Sequence, residues 1–486
     1  MAYKESLTSA KSGRPSWDVL KGAVNWFATN YKIKILIDAL DECQGREDVL
    51  AFLDSIRNEK KAISILVTSR EDLDVKDAID GYRGLRMEDR RSEVDRDIES
   101  YIDHRLATNV NLNKFPEAIK VDIRCSLLNK SEGMFRWAQC QIDALSRLRT
   151  VKSIRAKLDR LPTTLNETYA NILKSVQEED AELLRRILLW VSFTIVPLTL
   201  DELQEAIAVE AGMRTLKEVK ESRLNDPKDI LSLGSSLLRV CETGHVKLAH
   251  LSVRDYLLSQ DIKTHPDVAK FSLDHGEANR ELATNCITYL SLDGLANGPT
   301  KTQDDWERRL DDQALLKHAA KGWTYYLRDA DQTSELRKLV SDFFTVRSRP
   351  IFMSWIQILN SNWIFRWDEY PRHATSLYYA ASFGLLDVVK ELVKTGADID
   401  EPGSRFGGTA LHGATLREHT SVMELLFEAG ADPSKADFNR VTPLHTAARI
   451  GNAGVIRLLL KFRASKTALD SLDFFMVERM MILEIC

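Results

Sequence analysis

One seven-residue pattern near the C-terminal end occurs three times, and it restricts this chain more than any other feature. Thr375-Ser376-Leu377-Tyr378-Tyr379-Ala380-Ala381 returns 34 residues later as Thr409-Ala410-Leu411-His412-Gly413-Ala414-Thr415, and 33 residues after that as Thr442-Pro443-Leu444-His445-Thr446-Ala447-Ala448. Each copy is followed by apolar residues at helical spacing: Val388, Val389, Leu392 and Val393, then Val422, Leu425 and Leu426, then Val455, Ile456, Leu459 and Leu460. The first two stretches close on Gly396-Ala397-Asp398 and Gly430-Ala431-Asp432. A unit of this length cannot bury its own apolar face, so the copies must stack. Within a unit, the threonine hydroxyl caps the first helix, whose leading N–H groups lack partners. The small alanine pair lets the two helices approach, and the glycine supplies a left-handed C-cap. In the third copy Arg463 stands where that glycine belongs, at a cost of roughly 1 kcal/mol. Beyond it the sequence LDSLDFFMVERMMILEIC has no polar capping helix, and Phe474, Phe475, Met480, Met481, Ile482 and Leu483 would leave apolar surface. Either the tail folds as an improvised cap or the chain ends inside a longer array; a natural terminal repeat carries a polar outer face, which favours an array cut short.

Thr-Pro-Leu-His at a 33-residue period resembles the ankyrin repeat. The resemblance implies a solenoid that binds a protein partner through concave helical faces and turn tips, with no chemistry required. The rest of the composition is compatible with that. A chain of 486 residues exceeds one hydrophobic core and implies three or four domains. With 67 Lys+Arg against 72 Asp+Glu, and no face-wide basic run, there is no electrostatic footprint for nucleic acid. The first residues lack an apolar stretch, so no signal peptide is expected. The longest apolar run, Ile187–Val196, is about half of what a bilayer crossing needs. Six cysteines without C-x-x-C spacing read as free, mostly buried thiols in a reducing compartment, hence a cytoplasmic protein.

A second signal lies near the N-terminal end. Lys32-Ile33-Lys34-Ile35-Leu36-Ile37 is a β-rich apolar run that ends in Asp38-Ala39-Leu40-Asp41-Glu42. In a parallel sheet, ligands sit beyond the carboxyl ends of strands. A second strand, Ile63-Ser64-Ile65-Leu66-Val67, leads into Thr68-Ser69-Arg70. The ordered pair resembles the Walker B and sensor 1 motifs of NACHT NTPases, which are STAND-class signalling switches. By that resemblance Asp38 holds Mg²⁺ through water, Asp41 and Glu42 polarise the attacking water, and Arg70 senses the γ-phosphate. Further stretches resemble fungal members of the class: Ser131-Glu132-Gly133-Met134-Phe135-Arg136-Trp137-Ala138, Leu161-Pro162-Thr163-Thr164-Leu165 with Tyr169, and Val246–Leu257. Thr199-Leu200-Asp201-Glu202-Leu203 is a capping box, similar to the opening of a winged-helix domain. His250 stands where the family's histidine meets a diphosphate in the resting form; a satisfied structural histidine is the other reading.

No G-x-x-x-x-G-K-[ST] occurs in the sequence; the nearest stretch, Ala10-Lys11-Ser12-Gly13-Arg14, has one glycine and the wrong order. Such a loop cradles phosphates with backbone N–H groups. Losing three or more charge-assisted bonds removes on the order of 5 kcal/mol, at least roughly a thousandfold in affinity. The chain is therefore read as starting after that loop, with catalytic roles for Asp41 and Glu42 inactive. No cofactor is expected for this chain alone, whereas a full-length relative takes ATP or ADP with Mg²⁺. Tyr82–Met87 is expected to close against Ile63–Val67 as a third strand.

The expected architecture is multidomain and mostly α. Residues 1–90 form a partial α/β core, 91–160 a helical domain, 161–262 a winged-helix-like domain and 263–370 a helical linker domain. About three ankyrin repeats and an irregular tail occupy 371–486. The aromatic residues of 263–370, among them Trp306, Trp323, Trp355 and Trp367, are read as core packing that also caps the first repeat. The function expected is an intracellular interaction scaffold of NACHT–ankyrin type, with self-association, no nucleic acid and no membrane span. The alternative is a nucleotide-gated switch in fungal surveillance, if a fuller product supplies the phosphate loop.

Overall fold

A computed structural model describes residues 17–40, 43, 46–57, 63–69, 84–85, 90–345, 349–361 and 366–465. The chain divides into two compact units, Met1–Val94 and Asp95–Cys486. In the first, helix α1 (Trp17–Asn30) precedes strand β1 (Ile33–Ile37), helix α2 (Arg46–Arg57) and strand β2 (Ile63–Val67). The strands pair in parallel from Ile33 opposite Ile63 to Ile37 opposite Val67. The period of two is visible in their burial: the isoleucines and Val67 are half-buried, while Lys34, Leu36, Ser64 and Leu66 face solvent. A small core of Leu40 and Leu53 gathers Ile37, Val49, Leu50, Ile65 and Val67. Among the described residues the sheet has two strands. This corrects the three-stranded expectation: of Tyr82–Met87 only Gly84 and Leu85 are described, neither is in a strand, and Leu85 is 75% exposed. A glycine inside so short a run removes both a packing side chain and conformational restraint.

The second unit is helical, as the sequence implied. Helices α3 (Arg91–Thr108), α4 (Glu117–Ser131), α5 (Phe135–Ser146) and α6 (Val151–Asp159) come first. Ile98, Ile102 and Leu106 form the buried stripe of α3, and Ile119, Ile123 and Leu127 that of α4. Cys125 lies on the opposite, exposed side of α4. Of the described cysteines only Cys140 and Cys286 are buried, which corrects the expectation of mostly buried thiols. Helices α7 (Leu165–Lys174) and α8 (Glu178–Phe193) follow. Glu178, Glu179 and Asp180 sit at the positive end of α8.

A winged-helix arrangement succeeds them: α9 (Leu200–Ala208), α10 (Leu216–Glu221), α11 (Asp229–Gly234), an antiparallel hairpin of β3 (Leu238–Val240) and β4 (Val246–Leu248), and α12 (Leu251–Leu258). The capping box read from the sequence is present, with Thr199 and Glu202 satisfying each other's backbone N–H groups. Then α13 (Gln260–Thr264), α14 (His275–Leu290), α15 (Gln303–Asp312), α16 (Leu316–Arg328), α17 (Ser334–Phe344) and α18 (Arg349–Asn360) lead into the array. Trp306, Trp323, Tyr326 and Trp355 are core here: Trp323 and Trp355 are fully buried with ring centroids 5.8 Å apart. Three helix pairs complete the described chain: α19 (Ser376–Ser382) with α20 (Leu386–Lys394), α21 (Ala410–Leu416) with α22 (Thr420–Glu428), and α23 (Pro443–Ile450) with α24 (Ala453–Lys461). One buried core runs from Cys140 to Ala464.

Candidate functional site

Each first helix of the array begins at the threonine the repeat predicts. Thr375 Oγ1 accepts from the Tyr378 N–H at 3.2 Å, and Thr442 Oγ1 from the His445 N–H at 3.4 Å. The histidine of Thr-x-x-His returns the bond: His412 Nδ1 accepts from the Thr409 N–H at 3.0 Å, and His445 Nδ1 from the Thr442 N–H at 3.1 Å. His412 is then a neutral ring with its proton on Nε2, which donates to the Val441 carbonyl at 2.9 Å. That bond ties the second repeat to the chain entering the third. Burial holds His412 below its ordinary value.

The turns repeat as strictly as the helices. Gly384, Glu418 and Gly451 occupy the same left-handed place between paired helices, with φ of 73°, 62° and 80°. Gly396, Gly430 and Arg463 close the second helices, with φ of 85°, 94° and 65°. Arg463 thus adopts the conformation assigned to it. Sequence reasoning missed the cross-links between repeats. The Asp400 carboxylate accepts from the Asp432 N–H at 3.1 Å, Ser434 Oγ from the Ser465 N–H at 2.8 Å, and Glu418 from Asn452 Nδ2 at 2.9 Å. Each joins residues 31 to 34 apart, so the repeat period was the available signal. Burial pushes the Asp400 carboxyl up, against the pull of the Asp432 N–H.

The acidic strand end is partly described. Asp38 is exposed just beyond β1, where Thr68 Oγ1 donates to Asp38 Oδ1 at 2.5 Å and accepts from the Ala39 N–H at 2.9 Å. The Thr68 N–H also bonds the Ile37 carbonyl at 2.9 Å. Ala39 takes φ 52°, in the left-handed region, which strains a residue bearing a Cβ. The positions Asp41, Glu42 and Arg70 lie outside the described residues; among those described, Asp38 is joined to Thr68.

His250 belongs to the second unit. Its Nδ1 accepts from the Ser252 N–H at 3.1 Å and meets Ser252 Oγ at 2.6 Å, which caps α12. Ser252 Oγ also bonds Tyr169 Oη at 2.8 Å, linking the winged helix to α7. The other stretches singled out in the sequence meet nearby: the fully buried Trp137 donates Nε1–H to the Pro162 carbonyl at 3.1 Å. Pro162 and Asn171 wall two adjoining clefts of about 320 Å³ each. One is lined by Arg160, Lys174, His265 and Glu167, the other by Arg147, Lys157, Thr168 and Cys140. The backbone N–H of Thr163 holds Glu167 below the usual carboxylate range. Burial pushes the Cys140 thiol up to about 11, which keeps it protonated and a poor nucleophile. Among the described residues no group of three or more His, Cys, Asp or Glu side chains is placed to hold a metal ion. Among them, too, no helix is long and apolar enough to cross a membrane.

Three family models match the chain: ankyrin repeats in three copies over residues 361–437 and 377–470, the winged-helix domain of GPI inositol-deacylase over 173–269, and the N-terminal region of nephrocystin 3 over 1–70. Azaphilone pigments biosynthesis cluster protein L of Monascus ruber is 27% identical over 296 residues, 57% of this chain and 61% of that protein. Mouse ankyrin repeat and SOCS box protein 16 is 39% identical over 99 residues, 19% of this chain and 22% of that protein. Mouse inversin is 36% identical over 92 residues, 19% of this chain and 9% of that protein. The chain spans less than two thirds of the length of these relatives. It carries ankyrin repeats and a winged-helix domain in a multidomain, mostly helical fold.

Proposed function

We propose that this chain is an interaction scaffold of NACHT–ankyrin type that binds a protein partner through its ankyrin array. The reading rests on one observation: three capped helix pairs are fused edge to edge by bonds that join residues about one repeat apart. Such an array presents an extended rigid surface and needs no reaction to act. We assign its parts to the ranges of the sequence reading: a partial NACHT core in 1–90, a helical domain in 91–160, a winged-helix domain in 161–262, a linker in 263–370 and the array from 371. A cytoplasmic location and self-association belong to the same proposal. Crosslinking of the full chain to its partners, read by mass spectrometry, tests it. Partner crosslinks concentrated in residues 371–465 are expected, and partner crosslinks confined to residues 1–94 would overturn it.

A second reading, a nucleotide-gated STAND switch acting in fungal surveillance, is favoured by the strand end. Asp38 is held by Thr68 beside a strained Ala39, and backbone strain of this kind gathers at functional sites. In that reading Asp38 would take Mg²⁺ through water, Asp41 and Glu42 the attacking water and Arg70 the γ-phosphate, and His250, in the second unit, would take a diphosphate. This chain alone is not expected to turn over ATP. Micromolar ATP binding with turnover lost in Asp38→Ala would favour the switch instead.

A further inference from the structure

The loops that join successive repeats end in tips, and two neighbouring tips carry bare aromatic rings. Phe406 is 54% exposed and Phe438 is 66% exposed, the two exposed large hydrophobic side chains among the described residues of the array. They are not loose ends. The Phe438 N–H donates to the Phe406 carbonyl at 2.8 Å and locks the two tips together. The Phe438 ring lies across Gly407, whose φ is 78° and where a Cβ would come within 2.5 Å of the ring. On its other flank the His373 ring stands 5.6 Å away, fixed by a 2.8 Å bond between His373 Nε2 and the Ser404 carbonyl. The patch is therefore rigid before anything binds, which removes an ordering cost from association.

Leaving two rings largely in water forgoes the gain of burying them, and the loops need no phenylalanine to turn. Asp437 makes the second turn by itself, accepting from the Asn439 and Val441 N–H groups at 2.8 Å and 2.9 Å. Those bonds point its carboxylate into its own loop. Arg440 sits at the same tip, exposed, with no ion pair among the described residues. Arg372, next to His373, is exposed as well, its guanidinium over the Tyr370 ring at 4.0 Å and bonded to the Tyr370 hydroxyl and the Asp368 carbonyl rather than to a carboxylate. Among the described residues, neither Arg440 nor Arg372 makes an ion pair.

We propose that the tips around Phe406 and Phe438 dock a peptide segment presenting an apolar side chain flanked by Asp or Glu. The rings take the apolar anchor and the arginines take the carboxylates, in the charge-assisted pairing that guanidinium groups favour. The inference rests on the array being the partner-binding part of the chain and goes beyond it by naming the surface and the partner's chemistry.

The test is selection of a displayed random twelve-residue peptide library on the full chain, with the Phe406→Ser/Phe438→Ser double variant and Arg440→Glu as comparators. Enriched peptides should carry Asp or Glu within two residues of an aromatic or aliphatic side chain. Their affinity should fall at least about tenfold in the double variant, the loss typical of interface anchors, and more weakly in Arg440→Glu, with circular dichroism unchanged. If the double variant misfolds, Arg440→Glu and the salt dependence of binding give the answer: no change in either overturns the proposal. Peptides that bind the double variant equally well, or that are basic, overturn this docking site and leave the array's role standing. Failure of any peptide to enrich overturns both.

Discussion

Replacing Arg463 by glycine should stabilise the array, because its φ of 65° is left-handed and unfavourable for any residue with a Cβ. A gain of about 0.5–1 kcal/mol in urea unfolding is expected, net of the extra freedom glycine has in the unfolded chain. Gly430→Ala, at the equivalent turn with φ 94°, should lose a similar amount. No change in either variant would mean the turn relaxes. This place was legible in the sequence because Gly-Ala-Asp ends two of three repeats. Glu418 was not, since its φ of 62° shows only when the turn is aligned with Gly384 and Gly451. Histidines supply a second outcome at this scale. Burial lowers His318 from 6.5 to about 4, and burial lowers His412 and His419 too. A histidine held below its ordinary value takes up its proton more readily in the unfolded chain. The stability tied to it is complete above pH 6.5 and is lost as pH falls toward about 4. Urea midpoints measured down this range should decline, and His318→Gln should flatten the decline; an identical slope in the variant would assign the effect to other groups.

Between elements, the strongest polar link is one the sequence hides. Glu205 lies on α9 within a stretch that reads as the body of a capped surface helix, yet it is 1% exposed. Its carboxylate pairs with Arg223, accepts from the Tyr289 hydroxyl of α14, and accepts from the Leu315 N–H at 3.0 Å just before α16. Three separated segments thus meet on one side chain, and nothing local marks it, because all of its partners are distant in sequence. Glu205→Ala leaves the half-buried Arg223 without its counter-charge and two donors unsatisfied, and should cost about 1–3 kcal/mol. Glu205→Gln keeps the shape and should cost less; equal losses would mean that packing, not charge, matters there. The strand pair makes the opposite case. The two strands and the place of Asp38 at the end of the first followed from the apolar runs, while the residue-by-residue register did not; of the expected third strand, Gly84 and Leu85 are described and are not in a strand.

At the scale of the whole molecule, the sequence separates motifs that the fold joins. Repeats, capping box and the pair of apolar strands each announced themselves by local spacing, and each is where it was expected. The tie between the array and the helices before it depends on aromatic contacts across many residues, and spacing cannot express those. Trp355 of α18 is the centre of that tie. It is fully buried, with rings of Trp323, Phe343, Tyr379 and Phe383 at 5.8, 5.4, 5.6 and 5.9 Å, and its Nε1–H donates to the Ala320 carbonyl at 2.9 Å. Tyr379 and Phe383 belong to the first repeat, so the linker helices provide the covered face that an end repeat needs. Trp355→Ala should cost about 3–5 kcal/mol, and the distribution of the loss matters more than its size. If linker and array unfold as one cooperative body, amide exchange in α16 and in α19 should accelerate together. If only α16 loses protection, the array is held by its own repeat-to-repeat bonds, and the aromatic cluster is a cap rather than a joint. Tyr379 of the first repeat is buried within the cluster and Phe383 packs against it, which is why joint acceleration is the outcome expected.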